Sequence, residues 1–530
     1  MTRALRPQPN LAADRCRRHC GKMPQLPEGI HAQREQPEAY YSRSEPDMPA
    51  SQTSRGQLQA RTKIVATLGP ATASEDSLAE LALAGADVFR INTAHGDRQE
   101  HQKRFEAVRA VSRRLGQPIA ILVDLAGPKI RLGELPAGQL RCEPGAIVRF
   151  VRGREAAGPN ELTTTYQPLV DELAVGNRVM LADGTVCLVV EQLGQDYAEC
   201  RVVQPGVIRS RQGVNLPGAK LSAPSLSVAD RQNAVWAAQA GADFVGLSFV
   251  RAADDVRELK NLLRSNASDA HVIAKIEKPE ALDHLEEIVQ AADGVMVARG
   301  DLGVETDIAQ MALVQKHVIA TCNRFHKPAI VATQMLDSMQ HSQLPTRAEV
   351  TDVANAILDG ADACMLSGET AIGEYAREAV EMMHRIALAT EPTYRKSPPL
   401  HSPDSCTSAV NPITEAAVRC AGRIAAEVDA KLVVVASSSG ATALSLSKNR
   451  NYVPTVGVSN SEATLRRMCL YWGVIPLPGA PTQDSAALLA HIVAWGTANG
   501  SLKAGDRIVL VSGTGLSVSA HNMIVVHMVG

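Results

Sequence analysis

From Lys63 onward, short apolar runs that end in polar residues alternate with stretches whose apolar positions recur every three or four residues. The runs are Lys63–Thr67, Asp87–Asn92, Ile119–Asp124, Phe244–Ser248, Val272–Glu277, Val295–Ala298, Ala329–Thr333 and Cys364–Ser367. Strands that alternate with helices pair in parallel, and eight of them predict an α/β fold, a (β/α)8 TIM barrel, with its functional side chains at the C-terminal strand ends. After Val272–Glu277, the positions Ala281, Leu282, Leu285, Ile288 and Val289 predict one helix.

The alternation breaks between the third and fourth runs. There Ile147–Val151, Arg178–Leu181 and Val186–Val190 read as short strands joined by glycine-containing turns such as Asp183-Gly184, which predicts a small β domain inserted in a barrel loop as a lid. Beyond residue 391 a Pro/Ser-rich connector leads to a separate α/β domain: helices 413–428, 443–449, 461–472 and 485–499, with strands 431–436, 455–458, 507–511 and 523–528. The expected organisation is a barrel of residues 59–131 and 218–391, a lid of 132–217 and a C-terminal regulatory domain of 392–530. Residues 1–58 show no sustained periodicity and read as a disordered extension. Their Arg-rich start lacks the amphipathic stripe of a transit peptide. Met48 is a candidate start of translation that the intact mass of the native protein would test, and Cys16, His19 and Cys20 lack zinc-knuckle spacing.

Charge narrows the partners. Over 530 residues, 54 Lys and Arg against 56 Asp and Glu leave a net charge of -2, so neither nucleic acid nor a membrane surface is expected. No apolar run approaches the ~18 residues of a spanning helix. Ten scattered cysteines read as reduced thiols, which points to a cytoplasmic location. Aromatics make up only 3%, and Val, Ile, Leu and Ala carry the apolar content, as suits strands buried on both faces.

Candidate chemistry gathers at the strand ends, at Arg90, Asn92, Asp124, Ser248, Lys275, Glu277, Asp301, Thr333, Ser367 and Glu369. Lys275 and Glu277 lie two apart and so share a side of the sheet, and Asp301 follows the next parallel strand. Two hard oxygen donors and an ammonium at one spot suit a divalent cation with a phosphorylated substrate. The alternative is a solvated strand end with Asp301 as an N-cap. In the C-terminal domain, Ser437, Ser438, Ser439, Gly440, Ala441 and Thr442 form a strand-to-helix loop whose hydroxyls and free backbone N–H groups suit an anion, or else only cap the helix. The run Ser512, Gly513, Thr514, Gly515 could close over it, but fails as a dinucleotide fingerprint.

The segments TKIVATLGPA (62–71), RINTAHG (90–96), DLAGPKIR (124–131), GVNLPG (213–218), AKIEKPE (274–280), VMVARGDLGVE (295–305), ATQMLDSM (332–339), PTRAEVTDVANA (345–356) and MLSGETA (365–371) closely resemble pyruvate kinases. The resemblance implies an intracellular glycolytic enzyme, usually a homotetramer, that moves phosphoryl from phosphoenolpyruvate to ADP with Mg²⁺ (or Mn²⁺) and often K⁺. By position, Glu277 and Asp301 look like metal ligands, and Lys275 like the cation beside the transferring phosphoryl. Arg90 and Arg131 resemble the guanidinium groups that face phosphate, with Asn92 and His95 in the nucleotide region. Thr333, Ser367 and Glu369 look like the side from which the enolate is protonated, and the backbone from Ala298 through Gly300 to Asp301 like the holder of the substrate carboxylate.

Three departures matter. In the monovalent-cation region Asn92 and Asp124 remain, but Ala94 and Leu125 replace hydroxyl ligands and Lys129 replaces a Glu, as in the potassium-independent branch, so K⁺ is not expected to be required. A lid lysine of many relatives is Gln212 here, with Arg209 or Arg211 as candidate substitutes. The arginine of some sugar-bisphosphate-activated relatives is missing from the Ser437–Thr442 loop, which leaves a phosphorylated effector expected but unnamed. The competing functions are a metal-dependent lyase or aldolase, which would not use the lid, and a catalytically weak regulatory homologue, against which the retained Lys275, Glu277 and Asp301 argue.

Overall fold

The eight apolar runs become eight parallel strands: β1 (Lys63–Thr67), β2 (Val88–Asn92), β3 (Ala120–Asp124), β4 (Phe244–Leu247), β5 (His271–Ile276), β6 (Gly294–Ala298), β7 (Ala329–Ala332) and β8 (Ala363–Leu366). They close into a barrel in sequence order, β8 pairing back onto β1. The structure is a computed structural model that describes residues 60–394, 410–513 and 521–530, apart from positions 154, 157, 183, 220, 221 and 223. The readings made of residues 1–58, including Cys16, His19, Cys20 and Met48, lie outside these, as do most of the Pro/Ser-rich connector, Asp183, Thr514 and Gly515.

Strand residues alternate between two cores. Val65, Val88, Leu122, Ile273, Met296 and Ile330 fill the cylinder, while Ile64, Phe89, Ile121, Val272, Val295 and Val331 pack against the surrounding helices. The helix expected across 281–289 is two, Glu280–Asp283 and Leu285–Ala291, separated at His284 (φ -116°, ψ 21°).

The N-terminal end of the barrel is tied by a four-fold device. The even strands are entered through Gly85-Ala86-Asp87, Gly241-Ala242-Asp243, Ala291-Ala292-Asp293 and Gly360-Ala361-Asp362. The three glycines take φ of 124°, 78° and 92°, which ends the preceding helix, and the Asp then bonds to the neighbouring odd strand twice. Its N–H donates to the carbonyl of Ile64, Ile121, Val272 or Ala329, and its carboxylate accepts that residue's N–H at 3.1, 2.8, 2.9 and 2.7 Å in turn. Each carboxylate also meets a cation: Lys63 at Asp87, Arg109 and Arg466 at Asp243, Lys260 at Asp293, Lys448 and Arg450 at Asp362.

The inserted segment is a six-stranded sheet, whose members include Ile147–Val151, Arg178–Leu181, Val186–Leu193, Tyr197–Gln204 and Val214–Asn215, and a two-stranded pair, Gln139–Cys142 with Gly206–Arg209, around its own apolar core. The two chain crossings between it and the barrel bond to each other: Val214 N–H donates to the Ile130 carbonyl at 2.9 Å, and Arg131 pairs with Gly213.

The C-terminal sheet runs β11 (Val474–Pro476), β10 (Thr455–Val458), β9 (Leu432–Ala436), β12 (Arg507–Ser512), β13 (Met523–Met528), the last antiparallel. The pattern did not predict β11, which is three residues long and ends in proline. The helix expected to reach Trp472 spans Glu462–Met468, because the chain turns at Cys469–Gly473 to enter β11. This domain supplies Arg466, Lys448 and Arg450 to the barrel's aspartates, and Lys63 donates to the Val474 carbonyl at 2.9 Å. Among the described residues, no helix is long and apolar enough to cross a membrane.

Candidate active site

At the opposite end of the barrel, the strand ends converge on Lys275. Its ammonium lies 3.0 Å from Glu277 Oε1 and 3.3 Å from Asp124 Oδ1, and donates to Ser248 Oγ at 2.7 Å. Arg90 on β2 clamps the other oxygen of Asp124 through Nε at 2.7 Å and Nη2 at 2.6 Å, and reaches Thr67 Oγ1 at 3.1 Å. Burial opposes the Asp124 charge, but Lys275 and Arg90 overcome it and hold the carboxyl below its ordinary value. Burial likewise opposes the Lys275 ammonium, and Asp124 and Glu277 outweigh it, so its pKa rises.

Glu277, 1% exposed, accepts the Phe249 N–H at 2.7 Å. Phe249 has φ 54°, a left-handed conformation that a bulky residue rarely adopts, and it turns the chain after β4 so that its amide meets the carboxylate. Burial pushes the Glu277 carboxyl above the usual range; Lys275 opposes that push and the Asp301 charge adds to it. The two carboxylates therefore feel each other across the mouth.

Asp301 is the third residue of the helix Arg299–Glu305 that follows β6, and its Oδ1 lies 3.3 Å from Lys129 Nζ. Lys129 thus points into the site rather than into solvent. Thr333, at φ 70° just past β7, accepts the Gly300 N–H at 2.7 Å and donates to the Ala332 carbonyl. That Gly300 N–H is therefore committed to Thr333, not free for a substrate carboxylate as expected. Arg299, not singled out by the sequence reading, fixes this turn from below by donating to Asp352 Oδ1 at 2.7 Å and the Thr333 carbonyl at 2.8 Å. Its only sequence signal is a cation directly before Gly300 and Asp301.

The remaining candidates take different positions. The buried Ser367 hydroxyl has no hydrogen-bond partner among the described residues. Glu369 is buried and accepts the N–H groups of Leu336 (3.0 Å) and Ser367 (2.7 Å), so it sets two rim loops, and burial raises its pKa. Asn92 Oδ1 folds back on the Ala94 N–H at 3.1 Å. His95 is held below its ordinary pKa by burial, then by Arg131, Arg90 and Lys129, which marks a cationic flank suited to phosphates. Arg131 donates to the Arg211 carbonyl, while the Arg211 guanidinium pairs with Glu134 at 2.6 Å, away from the Gln212 position it was a candidate to replace. The Gln212 side chain itself accepts the Arg209 N–H.

In the C-terminal domain two of the loop's amides are held by its own hydroxyls. Ser437 Oγ accepts the Gly440 N–H at 3.0 Å, Ser439 Oγ accepts that of Ala441 at 3.4 Å, and Thr442 Oγ1 lies 3.2 Å from His521 Nδ1. The Ser438 carbonyl accepts the Thr464 hydroxyl.

Among the described residues, no group of three or more His, Cys, Asp or Glu could hold a metal by itself. Glu277 and Asp301 still fit Mg²⁺, which keeps waters and substrate oxygens around one or two carboxylates, and the repulsion felt by Glu277 is of the kind a dication relieves.

Comparison with known proteins agrees over most of the chain. Residues 59–380 match the family described as "Pyruvate kinase, barrel domain", and residues 415–527 that described as "Pyruvate kinase, alpha/beta domain". The chain is 38% identical to the pyruvate kinase of Geobacillus stearothermophilus over 478 residues, 89% of this chain and 81% of that one. It is 38% identical to that of Staphylococcus aureus (strain MRSA252) over 476 residues, 89% and 80% respectively. A crystal structure of a pyruvate kinase from Cryptosporidium parvum superposes with a TM-score of 0.82 at 30% identity, covering 89% of this chain and 97% of that one. With family matches on both the barrel and the C-terminal domain, the chain belongs to the pyruvate kinases, a family of phosphotransferase enzymes.

Proposed function

We propose that this enzyme transfers the phosphoryl group of phosphoenolpyruvate to ADP at the C-terminal mouth of the barrel, giving pyruvate and ATP. The observation that carries the reading is the convergence of Lys275, Glu277, Asp124 and Arg90, with Asp301 close enough to perturb Glu277. Glu277 and Asp301 would hold Mg²⁺ (or Mn²⁺), which would neutralise substrate oxygens and orient the phosphoryl group. The buried Lys275 ammonium, kept charged by Asp124, faces the group being transferred. Charge spreads over the phosphoryl oxygens in the transition state, so a preplaced cation helps more there than in the ground state. Arg90, already aligned by Asp124, meets the same phosphate, and Asn92, His95 and Arg131 flank the nucleotide. As the enol oxygen–phosphorus bond breaks, an ADP oxygen takes the phosphorus and the enolate gains a proton at its methylene carbon. Thr333, Ser367 and Glu369 line the protonating side, where Glu369 acts by holding backbone and the Ser367 hydroxyl is committed to no other group among the described residues.

Lys129 supplies a fixed positive charge in the region of Asn92 and Asp124, so activity is expected to be nearly complete without K⁺. A large stimulation by KCl over an equal ionic strength of a bulky organic cation would overturn this. We further read residues 132–217 as a lid on the barrel of 59–131 and 218–391. We read 392–530 as a regulatory domain taking a phosphorylated effector at Ser437–Thr442, and the assembly as a cytoplasmic homotetramer. A coupled assay for pyruvate formation, omitting phosphoenolpyruvate, ADP or Mg²⁺ in turn, tests the reaction. Turnover without any one of the three would reject it. Candidate phosphates added singly test the effector, and light scattering the assembly.

A further inference from the structure

The helix Arg299–Glu305 is gripped by both chain segments that join the inserted domain to the barrel. On the outgoing side Lys129 pairs with Asp301, near the start of the helix. On the returning side Asn215 Nδ2 donates to Oε1 of Glu305, the last helix residue, at 3.1 Å. Lys278, one residue past Glu277, reaches the same oxygen at 2.6 Å. The Glu305 side chain is 1% exposed, and its other oxygen has no hydrogen-bond partner among the described residues. A buried carboxylate with a single ammonium and a single amide is satisfied only while both stay in place.

We propose that Lys278, Asn215 and Glu305 form a positioning node through which the placement of the inserted domain sets the placement of Asp301. None of the three touches a reacting atom. Asn215 reports the position of the lid strand, Glu305 anchors the far end of the seven-residue helix, and Lys278 ties that anchor to the end of β5, where Glu277 follows Ile276. A rigid two-turn helix held at both ends moves as one piece, so a shift of the returning strand reorients Asp301 relative to Glu277. The inference rests on reading Asp301 as a metal ligand, and adds residues that this reading does not use.

The test uses the full chain and the variants Lys278→Met, Lys278→Arg, Asn215→Ala and, as control, Asp301→Asn. Two readouts are taken: hydrogen–deuterium exchange across 299–305 without metal, and the Mg²⁺ concentration giving half-maximal rate. In Lys278→Met and Asn215→Ala, exchange should speed up and half-saturating Mg²⁺ should rise about 10- to 100-fold, the usual effect of removing a group that orients a metal ligand. The rate at saturating Mg²⁺ should change far less, and Lys278→Arg should restore both readouts. A merely structural role would lower the unfolding temperature without moving the Mg²⁺ dependence. If Lys278→Met does not fold, Asn215→Ala leaves the ion pair intact and decides the matter: unchanged exchange and unchanged Mg²⁺ dependence there overturn the proposal. An active Asp301→Asn variant would instead overturn the metal reading, which the metal-free exchange data do not depend on.

Discussion

The two ends of the barrel bury the same kinds of side chain to opposite effect. At the N-terminal end Asp87, Asp243, Asp293 and Asp362 each accept a strand N–H and each meet one or two cations, so every one of these carboxylates has a counter-charge and a backbone donor. At the C-terminal end Asp124 is shared by Arg90 and Lys275, Glu277 lies in the field of Asp301, and the Ser367 hydroxyl has no partner among the described residues. Matched charge holds the fold together and crowded charge waits for a substrate, because groups poised for chemistry cannot also be fully satisfied by the protein.

Mutations should separate the ends. The largest effect is expected from Asp362→Ala, which strands Lys448 and Arg450, both buried, between the barrel and the C-terminal domain. It should lower stability by about 3–5 kcal/mol in chemical denaturation while turnover per folded molecule stays near wild type, since breaking a buried pair leaves an uncompensated charge. At the other end, Lys275→Met should cut kcat by roughly 10²–10³-fold, the scale of losing one preplaced electrostatic donor. Its unfolding midpoint should fall as well, because Glu277 and Asp124 lose a buried counter-charge, so the rate per folded molecule is the readout that separates the two ends. A Lys275→Met variant that loses stability but keeps its rate would erase the distinction.

Smaller effects sharpen it. Thr333→Ala removes the acceptor for the Gly300 N–H and leaves the left-handed turn in place, so kcat should fall by about tenfold, one hydrogen bond's worth. Steady-state rates with unchanged circular dichroism would check this. The least effect concerns pH at the matched end. His271 opens β5 edge-on to Phe244, with Asp293, Asp269, Arg467 and Lys260 around it, and burial lowers its pKa from 6.5 to about 4. Between those values the unfolded chain binds a proton that the native chain does not, so stability should fall as pH drops from 6.5 toward 4. His271→Gln should flatten that part of a urea-midpoint against pH curve; an unaltered slope would mean that the native imidazole titrates normally.

The barrel strands were legible because burial on both faces demands unbroken Val, Ile and Ala runs, and the polar residues that end them are conspicuous against that background. Lys275 and Glu277 could be placed on one side of β5 by counting alone. The repeated Gly-Ala-Asp before three of the even strands, Ala-Ala-Asp before the fourth, was equally present, but its meaning needs the partner strand: only the closed barrel brings Asp243 opposite Ile121. The three-residue β11 and the break at His284 escaped because local pattern is weak in elements shorter than two turns.

Sequence alone therefore determined the barrel, the insertion, the C-terminal α/β domain and the residues worth suspecting at the mouth, since these follow from periodicity and from residue type at strand ends. The tertiary structure decided who pairs with whom. It gave Lys129 to Asp301 and Lys278 to Glu305, turned Arg211 to Glu134, and spent the Ser437 and Ser439 hydroxyls on their own loop. The reason is that a long charged side chain sweeps several ångströms around its backbone, and its partner is chosen by desolvation and distance in the folded molecule rather than by position along the chain.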